Sequence, residues 1–184
     1  SDAVFDALVR RAGVVRVKTI MQLFACARAL STHIKPTGNR LAIVTNGGGP
    51  GVMATDLAID VGVRLAELSE TTLEKLNLAL PPTWSHGNPI DVIGDAGAKR
   101  YHDAIEACLA DPGVDGVLTM LTPQAMTKPT EAAQAVIEVA KQSQKPVLTC
   151  WMGESQVAGG RKLFKEAGIP YFSTPEPAVE VFSF

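Results

Sequence analysis

The stretch NRLAIVTNGGGPGVMATD, residues 39–56, places Asn46, Gly47, Gly48, Gly49, Pro50 and Gly51 between an apolar run and a helix-like pattern. A helix N-terminus has unpaired N–H groups and a partial positive charge, so it attracts anions. Glycines ahead of it let backbone amides approach an anion without interference from Cβ. Pro50 has no N–H, which leaves Gly48, Gly49, Gly51 and Val52 as the expected donors. Asn46 and Gly47 complete a candidate phosphate-binding turn. A Walker A loop is excluded, because it ends in Gly-Lys-Ser/Thr and the first lysine after this turn is Lys75. Gly49-Pro50-Gly51-Val52-Met53-Ala54 fits the dinucleotide pattern G-x-G-x-x-A, with Glu67 or Glu70 as the ribose-binding acid. A bare phosphoryl group needs only the amides and the dipole, and a tight helix–sheet turn needs no ligand. The residues leave these three readings open.

Other polar clusters fall where the chain pattern puts loops. HGNPID, residues 86–91, leads into a short apolar run and brings Asn88 and Asp91 toward the same sheet edge. His86 sits in a loop rich in Gly, Pro and Ser, whereas His33 and His102 fall in or at the ends of helices. Thr122, Gln124 and Thr127 follow one apolar run, and Glu154 and Ser155 follow the next. They either line a pocket or cap helices. No Ser-His-Asp, Cys-His or paired-carboxylate pattern stands out, so no catalytic residue is assigned. Metal-ligand spacing is likewise missing, and the three cysteines, Cys26, Cys108 and Cys150, are scattered as reduced thiols would be.

The elements that position these residues follow from periodicity. From Leu41 onward, short apolar runs (41–45, 64–68, 90–93, 116–121, 146–152, 169–172) alternate with helical segments (50–62, 70–79, 99–110, 128–143, 156–167, 176–182). Alternation of this kind builds βαβ units, and runs such as GVLTML that are apolar throughout suit strands buried on both faces. The expected fold is α/β: a flavodoxin-like, doubly wound parallel sheet in a three-layer α/β/α sandwich. Ligands in such sheets bind beyond the carboxyl ends of strands, where the glycine cluster falls. The 184 residues are 46% hydrophobic and 20% charged with a net charge of −2, which argues against nucleic acid as a partner. No apolar run approaches the ~20 residues of a membrane span and no secretory signal is recognised, so a cytoplasmic protein is expected.

The first residues do not fit this sheet. Residues 2–11 read as a helix, 14–17 as a short strand and 20–30 as an amphipathic helix. Ala12-Gly13-Val14-Val15-Arg16-Val17-Lys18-Thr19 lines up with Ala167-Gly168-Ile169-Pro170-Tyr171-Phe172-Ser173-Thr174, each between two helices. The repeat predicts two similar domains in tandem, with residues 1–33 as the end of the first, 34–38 as linker and 39–184 as the second. Val4, Phe5 and Leu8 would then lie on a face cut open at the missing domain, which makes a homo-oligomer possible.

TNGGGPGVMATD, GNPIDVIGDA and YFSTPEPAVEVF together resemble the NDP-forming acyl-CoA synthetases, relatives of succinyl-CoA synthetase. Protein acetyltransferases carrying a regulatory acyl-CoA synthetase region are similar too, and that regulatory module is the alternative. The resemblance implies a succinyl-CoA ligase-like flavodoxin domain whose glycine-led helix receives the phosphoryl group of a phosphohistidine. The family's phosphohistidine motif precedes a stretch like SDAVFDA, and none of His33, His86 and His102 matches it, so another domain is expected to supply it. Asn46, Gly47, Gly48, Gly49, Gly51 and Val52 are then phosphate-binding, with Asn88, Asp91 and Gln124 as neighbours. The whole enzyme is expected to use CoA, ATP or ADP, and Mg, with none held by this domain alone. Its partners are the CoA-binding and ATP-grasp domains, and this fragment by itself is expected to be inactive.

Overall fold

The computed structural model describes residues 2–31 and 36–184; His33 and the first two residues of the expected linker lie outside them. In chain order the elements are α1 (Asp2–Arg11), α2 (Ile20–Leu30), β1 (Arg40–Thr45), α3 (Gly48–Asp60), β2 (Arg64–Leu65), α4 (Glu70–Ala79), β3 (Ile90–Asp91) and α5 (Ala98–Ala110). There follow β4 (Gly116–Leu121), α6 (Pro129–Lys141), β5 (Val147–Trp151), α7 (Ser155–Glu166), β6 (Tyr171–Phe172) and α8 (Pro175–Phe182).

The sheet is parallel in every pair, in the order β2-β1-β4-β5-β6. One side of β1 is shared: its first residues pair with β2 (Arg40 with Arg64) and its last with β3 (Val44 with Ile90). Asn88 bridges the gap between them. Its side-chain oxygen accepts from Ile43 N at 2.9 Å, and its amide nitrogen donates to Leu41 O at 2.8 Å and Ala66 O at 3.0 Å. A side-chain amide thus stands in for a peptide group where the neighbouring strand is interrupted.

Side chains of β4 alternate between two cores, as the pleat requires. Val117 and Leu121 face one core with Tyr101, Trp151 and Phe164, under α4 to α7. Leu118 and Met120 face the other with Ile43, Ala54, Val179 and Phe182, under α3 and α8. Both faces are covered, which explains strands that are apolar throughout. Thr119 is an exception within β4: it is 0% exposed, and its hydroxyl has no hydrogen-bond partner.

The AG repeat is also a repeat of geometry. Gly13 and Gly168 share a left-handed φ, 68° and 70°. Val14 N donates to Val9 O at 2.9 Å and Ile169 N to Phe164 O at 2.9 Å. The residues capping the next helices, Thr19 and Thr174, have φ/ψ of −131°/156° and −137°/159°. Residues 14–17, expected as a strand, form no ladder, because no described strand lies alongside to take their hydrogen bonds. Helix α1 buries none of its residues. Helix α2 packs on α8, with Gln22 Nε2 donating to Glu180 Oε2 at 3.3 Å. Arg28 covers the sheet edge: its Nη1 donates to Tyr171 O at 2.6 Å and its guanidinium lies 4.6 Å over the Tyr171 ring.

Candidate functional site

The chain leaves β1 to one side and β4 continues the sheet on the other, so the topological switch point lies between their carboxyl ends. The glycine turn follows β1 directly. Helix α3 starts at Gly48, two residues earlier than the expected start at Pro50, which occupies the third helical position. Proline is accommodated in a first turn because its missing N–H has no intrahelical acceptor there.

Each glycine in the turn has its own reason to be glycine. A Cβ on Gly47 would stand 2.7 Å from Thr122 Oγ1, and one on Gly51 would stand 3.1 Å from Thr45 Cγ2. These two serve close packing of the helix against the sheet. A Cβ on Gly49 would meet nothing, and one on Gly48 only Asp91 Oδ2, at 3.9 Å. The amides divide in the same way. Gly47 N donates to Thr45 Oγ1 at 3.1 Å and Gly51 N to Gly47 O at 3.3 Å. Val52 lies far enough into α3 for its N–H to join the helix ladder. Gly48 and Gly49 come too early for an intrahelical acceptor, and nothing else in the described chain takes their N–H groups. Of the four donors expected from sequence, the geometry therefore leaves two free.

Asn46 is 2% exposed and joins the ends of β1 and β4. Its Oδ1 accepts from Thr122 N at 2.8 Å and Thr122 Oγ1 at 3.1 Å, while its Nδ2 donates to Thr122 O at 2.9 Å. Gln124 Nε2 donates to Asn46 O at 3.2 Å. The Gln124 side chain crosses Gly94 so closely that a Cβ there would collide with it. Gln124 is thus brought to the turn, and Thr122, Thr45 and Gly94 join a cluster that sequence reasoning did not assemble. The available signal was an asparagine immediately after a buried strand.

Asp91 ends β3 beside Gly48. Its Oδ1 accepts from Ile93 N at 2.8 Å, and Oδ2 is the oxygen nearest Gly48. Ile93 has a φ of 71°, a strained setting for a β-branched residue. Asn88, by contrast, uses its amide within the sheet and offers no donor to the turn. His86 is exposed, with Nδ1 3.1 Å from Asn77 Oδ1, Nε2 2.8 Å from Pro82 O, and its ring 4.8 Å from that of Trp84. His102 stands in α5 next to Asp103. Glu154 precedes α7 without a side-chain capping bond. Cys26, Cys108 and Cys150 are buried and free, and burial pushes the thiols of Cys108 and Cys150 up to about 12.

Fold and site together define a doubly wound α/β domain with two unpartnered amides at a helix N-terminus at its switch point. The Ligase-CoA domain model matches residues 41–183, and the chain belongs to that family. It is 36% identical to the alpha subunit of acetate–CoA ligase (ADP-forming) I of Pyrococcus furiosus, covering 100% of this chain and 40% of that one. It is 31% identical to 4-hydroxybutyrate–CoA ligase (ADP-forming) of Nitrosopumilus maritimus, covering 100% of this chain and 26% of that one. The fold superposes on acetyl-coenzyme A synthetase 1 of Ca. Korarchaeum cryptofilum with a TM-score of 0.92 at 31% identity, over 100% of this chain and 40% of that one. The chain therefore spans well under half the length of these relatives.

Proposed function

We propose that this chain is the Ligase-CoA domain of an ADP-forming acyl-CoA ligase, and that Gly48 and Gly49 receive the phosphoryl group of a phosphohistidine brought by another domain. The observation that carries the reading is the pair of unpartnered amides at the start of α3, on the two glycines that packing does not require. Two N–H groups and a helix dipole stabilise the charge on a phosphoryl group without a lysine to hold it tightly, which suits a group in transit. Asn46, Gly47, Gly51 and Val52 shape the turn, and Asp91 and Gln124 border it. A solved form of the Korarchaeum synthetase, 31% identical, is a complex with phosphate and ADP. The names of the relatives favour a ligase over a regulatory module of an acetyltransferase.

In this reading CoA and ATP or ADP bind to other domains of a cytoplasmic enzyme. Among the described residues no three carboxylates, imidazoles or thiols come together. Residues 1–33 belong to a preceding domain of the same fold. The repeat sets Ile20, Leu23 and Phe24 opposite Pro175, Ala178 and Val179. The latter three are buried against their sheet, whereas the former are 72%, 54% and 63% exposed. The face of α2 that corresponds to the core-facing side of α8 therefore awaits a sheet of its own.

The test is a titration of the 15N-labelled chain with inorganic phosphate, beside NAD and ADP. Shifts confined to Gly48, Gly49 and their neighbours are expected at millimolar phosphate. A response to NAD with none to phosphate would move the domain to the dinucleotide class. The isolated chain is expected to show no turnover of acetyl-CoA, ADP and phosphate.

A further inference from the structure

We infer that Asn46 is the positioning residue of this turn: it clamps the turn to the β4–α6 loop and so keeps the Gly48 and Gly49 amides aimed at one point. The inference rests on the phosphoryl-receiving reading above. A strand end normally loses register once its ladder stops. Here the Asn46 side chain makes the next rung, giving to Thr122 O and taking from Thr122 N as a peptide group would. Because the side chain makes that rung, the backbone of residue 46 is free to turn away from β4 and enter α3. Its own carbonyl is held from the same loop by Gln124. One residue earlier, Thr45 Oγ1 takes Gly47 N and gives to Gly47 O at 2.9 Å, which fixes the peptide planes on both sides of Gly47.

Gly48 and Gly49 follow with no side chains to hold them, and Gly49 has no atom near its Cβ position. Their direction is set from behind, by Gly47 and through it by Asn46. A donor pair that must meet a phosphoryl group arriving from another domain needs such support, because misaligned donors lose most of their effect.

The experiment follows the Gly48 and Gly49 amide shifts of the 184-residue chain in a titration with inorganic phosphate. It compares wild type, Asn46→Ala, Gln124→Ala and Asp115→Asn, each well below its own Tm. Asp115 lies at the opposite end of the same two strands, where it holds Arg40 through Nε at 2.8 Å and Nη2 at 2.8 Å. Expected is a phosphate Kd raised at least ~5-fold by Asn46→Ala and roughly 2-fold by Gln124→Ala, on the scale of lost hydrogen bonds. Asp115→Asn is expected to lower Tm and leave Kd at the wild-type value. A purely structural Asn46 would lower Tm with Kd unchanged, and that result overturns the inference. If Asn46→Ala does not fold, Gln124→Ala decides, since Gln124 is exposed, and an unchanged Kd there overturns it equally. A wild-type chain that shows no phosphate response overturns the underlying reading, and the inference with it.

Discussion

At the scale of single residues, the proposed phosphoryl-receiving turn sets a carboxylate beside its two unpartnered amides. Asp91 Oδ2 faces Gly48, so a phosphoryl group there meets a carboxylate as well as two amides. Replacing Asp91 with Asn keeps the acceptor for Ile93 N–H and removes the charge. Phosphate is expected to bind Asp91→Asn roughly 5-fold more tightly, which corresponds to about 1 kcal/mol for a partly solvated like-charge pair. Calorimetric titration checks it, and unchanged or weaker binding would show that the carboxylate does not act on the site. Thr119 offers a stability test away from the turn. Its hydroxyl is fully buried and unpartnered. Thr119→Val replaces it with a methyl of the same shape and is expected to stabilise the fold by about 1 kcal/mol in urea unfolding.

At the scale of elements, two buried carboxylates tie loops at the amino end of the sheet. Asp115 takes Arg40 N at 2.9 Å as well as its guanidinium, and the Arg40 side-chain bond holds its carboxyl below the ordinary range. Burial acts to raise Asp111, yet N–H bonds from Ser69 at 2.8 Å and Gly113 at 2.7 Å outweigh it, so this carboxyl is also lowered. Both groups titrate lower in the folded chain than in the unfolded one. Their contribution is therefore complete above the unfolded value of about 3.9, and it is lost as pH falls through the folded values. Urea midpoints measured from pH 7 to pH 2 are expected to hold steady down to about pH 4.5 and then fall. Asp115→Asn is expected to flatten part of that fall, and an unchanged slope would show that the Arg40 pairing does not carry it.

At the scale of the molecule, the described chain leaves large apolar side chains uncovered on its first two helices. Val4, Phe5, Leu8, Ile20, Leu23 and Phe24 are each more than half exposed on α1 and α2. Exposed apolar side chains in such number drive association when nothing covers them. Sedimentation of the isolated chain is expected to show concentration-dependent self-association, and Phe5→Glu with Phe24→Glu to suppress it without lowering Tm. A wild-type chain that stays monomeric at high concentration would count against these side chains as a docking surface.

The parallel α/β sandwich was legible from the sequence because buried strands and amphipathic helices differ in period, and each period depends on neighbours a few residues away. The repeat around Gly13 and Gly168 was legible too, since a helix-ending αL turn has a local signature that its hydrogen bonds later reproduced. The glycine turn could be placed at a helix N-terminus for the same reason. The tertiary structure decided which of its amides stay free, because that depends on Thr45, on the starting point of α3 and on the position of Thr122, 76 residues from Asn46. Residues 14–17 have the composition of a strand, but a strand exists only where another supplies its hydrogen bonds. Asn88 and Asn46 look alike in sequence as polar residues beside short strands. The first completes the sheet and the second holds the turn, because one faces an interrupted strand and the other the end of β4.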